Sequence, residues 1–316
     1  MLTLSSRLTR YGLPLLVLVL IVLALGWDMP LAESDTAHFI FWQIRFPRVV
    51  LALFAGGALA LAGLLLQNFF RNPLVEPGLL GVSAGAGLAA VIVIGLGISG
   101  LWAIPFAAFV GALATLSVVL FAGRYLQSNH TELLLIGVAI NALAAALVNL
   151  LLSLSDGSTF RSASFWLLGS FAAADWALLI PSLVMLFLIF LRSYTQHRAL
   201  DVWQLGETEA GHLGLNVAAF RRETLLLASL LVAMAVAQSG GIGFIGLLAP
   251  HLARRLGAVR HQQLIPLSVL IGALLALTAD WLARSLIAPL ELPTGVLTAI
   301  IGAPAFLFLF LRGRQP

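Results

Sequence analysis

The chain has 316 residues, of which 61% are hydrophobic and only 9% charged, with a mean hydropathy of +1.05. A soluble domain carries about 25% charged residues, so this chain cannot clothe itself in polar surface and reads as an all-α polytopic membrane protein, a single domain over residues 1–316. All 17 cationic side chains are Arg and there is no Cys, which excludes a lysine-bearing phosphate loop, a disulfide, a thiolate nucleophile and a cysteine metal site.

A spanning helix needs about 20 mostly apolar residues. Ten segments qualify, near 11–30, 48–68, 79–99, 102–122, 132–154, 173–193, 223–240, 241–258, 264–284 and 294–312. The first follows Arg7 and Arg10 as a signal peptide would, but removing it would spoil the even count, so it is read as a retained span. After the second comes QNFFRNPLVEPGLLGVSAGAG, Gln67 to Gly87. Such broken backbone at a membrane edge is tolerated only when it is buried in protein or lines a watery cavity, so a passage or gate is expected there. In the fifth span Asn141 and Asn149 fall on broadly one side, placed to hydrogen bond between helices or to wall a path. Residues 156–175 hold Phe160, Phe165, Trp166 and Phe171 but too few apolar residues to span, which predicts a short helix at the interface.

Residues 193–223 are charged and punctuated by Gly206, Gly211 and Gly214, as a docking surface would be. Only Ser239, Gly240, Gly241 and Gly243 separate the seventh and eighth spans. Asp280 stands four residues before Arg284, the spacing of a helical ion pair. Glu291 and Pro293 mark the start of the last helix, where the dipole favours an acid and proline is tolerated. With Met1 inside, only Arg45, Arg48, Arg161 and Arg284 of the 17 arginines lie outside, so the positive-inside bias puts both termini in the cytoplasm.

Several enzyme patterns occur out of context. GVSAG at Gly81 to Gly85 matches a nucleophile elbow, which needs a strand, a sharp turn and partners for Ser83, whereas here it opens a membrane helix whose small residues suit close packing. An intramembrane hydrolase on Ser83 is the reading this leaves open. GLGISG at Gly95 to Gly100 and GIGFIG at Gly241 to Gly246 are dinucleotide fingerprints only inside a strand and helix unit. The six histidines show no paired spacing, so no metal site is expected.

Four stretches carry a resemblance: WQIRFPR at Trp42 to Arg48, LLLQNFFRNPLVEPGLLGVSAGAG at Leu64 to Gly87, GGIGFIGLLAPHLARR at Gly240 to Arg255, and ELPTGVLTAIIGAPAF at Glu291 to Phe306. With FWLLGSF at Phe165 to Phe171 and LGETEAGHLGLN at Leu205 to Asn216, the chain resembles the FecCD-type permeases of binding-protein-dependent ABC importers for iron siderophores, haem and cobalamin. WQIRFPR and NPLVEPGLLGVS are most similar to the cobalamin permease, although QSNHT at Gln127 to Thr131 departs from its serine and threonine pattern.

The resemblance implies ten helices with inverted repeats, a homodimer in the bacterial inner membrane, two cytoplasmic ATPase subunits that bind the ATP, and a periplasmic substrate-binding protein. This chain would then be no enzyme and hold no cofactor. By the same resemblance Arg45, Arg48 and Arg284 would dock the binding protein. Leu205, Gly206, Glu207, Ala210, Leu213 and Gly214 would couple to the ATPase, and Asn72, Pro73, Leu74 and Asn129, with Asn141 and Asn149, would form gates and pathway. The alternative is a secondary transporter driven by an ion gradient, which requires an essential membrane carboxylate.

Overall fold

The computed structural model describes residues 35–125 and 130–312, together with 19, 21, 22 and 24. Asn129 and most of the first expected span fall outside them. The described elements are helical: α1 (Asp35–Phe69), a 3₁₀ turn (Pro77–Leu80), α2 (Val82–Gly95), α3 (Ala103–Tyr125), α4 (His130–Leu154), α5 (Gly157–Leu168), α6 (Trp176–Thr195), α7 (His197–Trp203), α8 (Glu207–His212), α9 (Val217–Ser239), α10 (Ile245–Arg255), α11 (His261–Ser285) and α12 (Thr294–Arg312). Among them α1, α3, α4, α6 and α11 are long and apolar enough to cross a membrane.

The bundle is built around α1. Its alanines at 52, 55, 58, 60 and 62 have no exposed surface, because α11, α9 and α10 close on it from several sides. Small residues make this possible. A Cβ on Gly56 would lie 2.2 Å from the carbonyl oxygen of Gly272 in α11, and one on Gly272 would lie 2.3 Å from that of Gly56. The same logic joins α2 to α3: a Cβ on Gly85 would meet the Gly111 carbonyl at 2.7 Å. The GVSAG sequence is therefore a packing surface, since apolar helices in a membrane associate through close backbone approach.

The N-terminal part of α1 contains a π turn, Ile40–Arg45, just before Pro47. Proline has no N–H to return to the carbonyl four residues earlier, and a widened turn absorbs that loss. Phe41, Trp42 and Phe46 cluster there with Trp176, whose indole N–H donates to the Trp42 carbonyl at 2.9 Å. Of these rings the two indoles are amphipathic, the kind enriched at membrane interfaces.

Helix α5 is the expected short element. Asp156 caps it by accepting from the Thr159 N–H at 3.1 Å, and its bonds from Ser158 and Thr159 hold the carboxyl down at about 2. Helix α10 differs from expectation: the eighth segment forms only 11 helical residues, about 16 Å at 1.5 Å per residue. Glycines and a left-handed Phe244 (φ 66°) keep residues 240–244 out of helix, so the predicted span is a half-length helix after a break.

Candidate functional site

Among the described residues four polar constellations interrupt the apolar bundle. At the N-terminal end of α1 Arg48, only 6% exposed, donates from Nε to Asp280 Oδ1 at 2.9 Å and from Nη1 to both carboxylate oxygens of Glu291 at 3.1 and 2.9 Å. Arg284 pairs with the other Asp280 oxygen at 3.2 Å and donates to the Ala24 carbonyl at 3.3 Å. Asp280 is fully buried, whereas the Glu291 side chain is 51% exposed. Two guanidinium and two carboxylate groups thus balance in one cluster that ties α1 to α11 and to the segment entering α12. The Asp280–Arg284 pair was legible from its spacing; the approach of Arg48 across 232 residues was not. Arg45 is half-buried nearby in sequence, on the π turn.

Glu291 also lines a cavity of about 570 Å³, with Phe165, Trp166, Ser170, Gln238 and Pro293. Aromatic and small side chains dominate its wall, and the few polar groups sit among them, the usual make-up of a site that receives an organic ligand.

Midway through the bundle, residues 71–80 fold back between helices. Asn72 starts the turn by accepting the Leu74 N–H at 2.9 Å, and Asn72, Pro73 and Leu74 are exposed. Glu76, which sequence reasoning left in a connecting segment, reaches the break before α10 and accepts the Phe244 N–H at 2.7 Å. An acid inside an otherwise apolar stretch was the available signal. Asn141 donates to the Gly78 carbonyl at 3.0 Å, so its amide serves the turn, while Asn149 is exposed on α4.

Proline chemistry explains the next group. Pro250 cannot donate to the carbonyl of Gly246, and Gln67 Nε2 supplies that bond at 3.2 Å while Arg254 donates to Gln67 Oε1 at 2.8 Å. Changing Gln67 to Leu keeps the volume but orphans the Gly246 carbonyl and half-buried Arg254. Leaving a buried polar group unmade costs about 1–3 kcal/mol. The expected outcome is a folded protein with a clearly lower unfolding midpoint in detergent, measured by intrinsic fluorescence; an unchanged midpoint would refute the assignment.

At the C-terminal end of α1 the charged segment is anchored to the bundle. Trp203 has no exposed surface, donates from its indole to the Phe69 carbonyl at 3.0 Å, and stacks on Phe69 with ring centroids 5.9 Å apart. Asp201 accepts from the backbone N–H of His261 at 3.0 Å and lies 2.6 Å from its Nδ1. His261 Nε2 lies 2.7 Å from Asn68 Nδ2, which also donates to the Leu200 carbonyl at 2.9 Å. A neutral ring protonated on Nδ1 satisfies every one of these bonds.

Beyond this anchor Gly206 (φ 125°) and Gly214 (φ 87°) take backbone conformations reserved for glycine, and they bracket α8. Ala210 is buried against the bundle, Glu207 pairs with Arg221 at 3.2 Å, and Leu205 and Leu213 stand 62% and 64% exposed. The two exposed leucines thus flank the short helix on either side.

Residues 13–312 match the model of the FecCD transport family. The hemin transport system permease protein HmuU of Yersinia pestis is 41% identical over 326 residues, covering 97% of each chain. The vitamin B12 import system permease protein BtuC of Klebsiella pneumoniae is 39% identical over 321 residues, covering 98% of this chain and 95% of the relative. Among solved structures, a metal-chelate type ABC transporter in an inward-facing conformation superposes with a TM-score of 0.87 at 37% identity, covering 96% of this chain and 98% of its own.

Proposed function

The chain belongs to the FecCD transport family, and we propose that it is the membrane-spanning subunit of an ABC importer that carries a haem or cobalamin chelate from periplasm to cytoplasm. In this reading it crosses the bacterial inner membrane ten times with both termini inside, its halves are inverted repeats, and two copies form the path between them. The family match from 13 to 312, with hemin and vitamin B12 permeases among the relatives, is the observation that carries it. Identities of 41% and 39% do not separate the two chelates.

The energy comes from ATP bound and hydrolysed on separate cytoplasmic subunits, because this chain has no lysine with which to build a phosphate loop. The segment Leu205, Gly206, Glu207, Ala210, Leu213 and Gly214 seats in a cleft of the ATPase, with the exposed leucines as its apolar contacts. Its motion reaches the bundle through Trp203 on the Phe69 carbonyl and Asp201 on His261. Outside, Arg45, Arg48 and Arg284 receive acidic residues of a periplasmic binding protein. A partner carboxylate that reaches Arg48 takes the place of Glu291, the exposed acid of the cluster. Asn72, Pro73, Leu74 and Asn129 close the path inside, and Asn141 and Asn149 belong to its wall.

Affinity-tagged protein extracted from its native membrane in mild detergent should bring with it an ATPase subunit bearing a phosphate-loop lysine. Recovery of the intact chain free of any nucleotide-hydrolysing partner would overturn the reading. Replacing Gly206 by Trp forces a side chain into a left-handed position whose Cβ would lie 2.3 Å from Glu209 Oε2. Uptake of radiolabelled chelate should fall at least tenfold in cells carrying it, and transport at the normal rate would refute the coupling role.

A further inference from the structure

We infer that Glu76 is a positioning residue that clamps the helix break at Phe244 to the folded-back turn at 77–80, so that α4 and α10 shift as one body when the path opens. The carboxylate of Glu76 accepts the Phe244 N–H at 2.7 Å. That amide belongs to a non-glycine residue held at φ 66°, a conformation that persists only where neighbours enforce it. The bond is charge-assisted and lies at the positive end of α10, two effects that act together.

The turn itself is gripped from both sides. Toward α10, the Pro77 ring lies against the first turn, where a Cβ on Gly246 would meet Pro77 Cδ at 2.7 Å. Toward α4, Asn141 donates to the Gly78 carbonyl, and a Cβ on Gly137 would meet the Leu79 carbonyl at 2.3 Å. Residues 76–80 are therefore a wedge that meets α4 along one face and the first turn of α10 at Pro77, with α1, α2 and α9 also packed on it. On the α10 side its firm hold on the break is the Glu76 bond. A cavity of about 230 Å³ beside Glu76, lined by Leu59, Ser83, Gly241 and Gly243, is the space into which the break can relax once that bond is lost. Its glycines put little side chain in the way.

The consequence for transport rests on the permease reading, but the clamp itself can be tested without a cargo, an ATPase or a binding protein. Hydrogen exchange of the full-length chain in lipid nanodiscs, read by mass spectrometry, reports it directly. Glu76→Ala removes the acceptor, and exchange in peptides covering 77–81 and 244–248 should rise at least tenfold while the middle of α1, residues 52–62, stays as in the parent. Glu76→Gln keeps an acceptor oxygen at the same reach and should remain within threefold of the parent, a rescue that a general packing role would not produce. Because the chain has no Cys, spin labels at Leu135→Cys and Arg255→Cys add a second readout free of background. Their distance distribution should broaden in Glu76→Ala and not in Glu76→Gln.

If Glu76→Ala fails to fold, Glu76→Asp draws the carboxylate back by one methylene and should give an intermediate rise at 244–248. The inference is overturned if exchange and distance are unchanged by Glu76→Ala or, failing that, by Glu76→Asp. It is also overturned if Glu76→Gln loosens the break as much as Glu76→Ala does. Should the clamp behave as stated while chelate uptake is normal in Glu76→Ala cells, the link to transport fails and the clamp stands.

Discussion

Arg48→Met is expected to lower the unfolding free energy of the detergent-solubilised protein by about 3–5 kcal/mol, the cost of breaking a buried charge pair by removing one partner. Beside Arg45, whose charge also acts on Arg284, the parent cluster of four paired groups is balanced, with Arg48 and Arg284 facing Asp280 and Glu291. Without Arg48 it carries one excess negative charge, and fully buried Asp280 retains only Arg284 at 3.2 Å. Glu291→Gln removes a charge that is half in solvent and should cost less than about 1 kcal/mol, as exposed pairs do. The double variant Arg48→Met/Glu291→Gln restores neutrality and should be more stable than Arg48→Met alone. Unfolding followed by tryptophan fluorescence checks the order; equal losses for Arg48→Met and Glu291→Gln would contradict the cluster as described.

A still larger loss is expected from Gly63→Leu. The side chain would have to begin 1.9 Å from the Gly246 carbonyl oxygen of α10, a backbone atom that cannot swing aside and already holds the Gln67 amide. Overpacking a filled core costs about 1–3 kcal/mol even when side chains can move, and here the helices themselves must part. The variant should not be recoverable as monodisperse protein after solubilisation. Gly95 is the control, because its Cβ would meet nothing within 4 Å. There Ala should keep the midpoint or raise it, since glycine in a helix costs about 1 kcal/mol relative to alanine. Size-exclusion profiles of the two variants give the comparison; a well-behaved Gly63→Leu protein would mean that α1 and α10 are not in contact at this depth.

Much of the helix pattern was legible because each long run is apolar and bounded by breakers. The runs at 102–122, 132–154, 173–193 and 264–284 appear as α3, α4, α6 and α11 within a few residues. The half-length α10 was not, since hydropathy averages over a window and does not register that glycines and a left-handed Phe244 stop the helix part-way. Local charge pairs could be read for the same reason that helices could: Asp280 and Arg284 are four residues apart, a spacing fixed by helical geometry. The pairs Arg48–Asp280, Glu76–Phe244 and Gln67–Gly246 span 168 or more residues, and no period in a sequence encodes such pairings. Gln67 could have been suspected from Pro250, whose missing N–H guarantees an unmatched carbonyl, but which side chain answers it depends on packing. In the charged segment the three glycines marked breaks, but only Gly206 and Gly214 are left-handed while Gly211 lies inside α8, and the seating of Trp203 on α1 did not follow from them.

In the proposed function this chain is a passive conduit worked by nucleotide hydrolysis on other subunits. The most direct measurement is accumulation of haem or cobalamin in proteoliposomes holding the purified chain with and without its co-purified ATPase, each with ATP and with imposed proton or sodium gradients. Accumulation only when ATPase and ATP are both present is the predicted result; cargo concentrated by the chain alone down an ion gradient would contradict it.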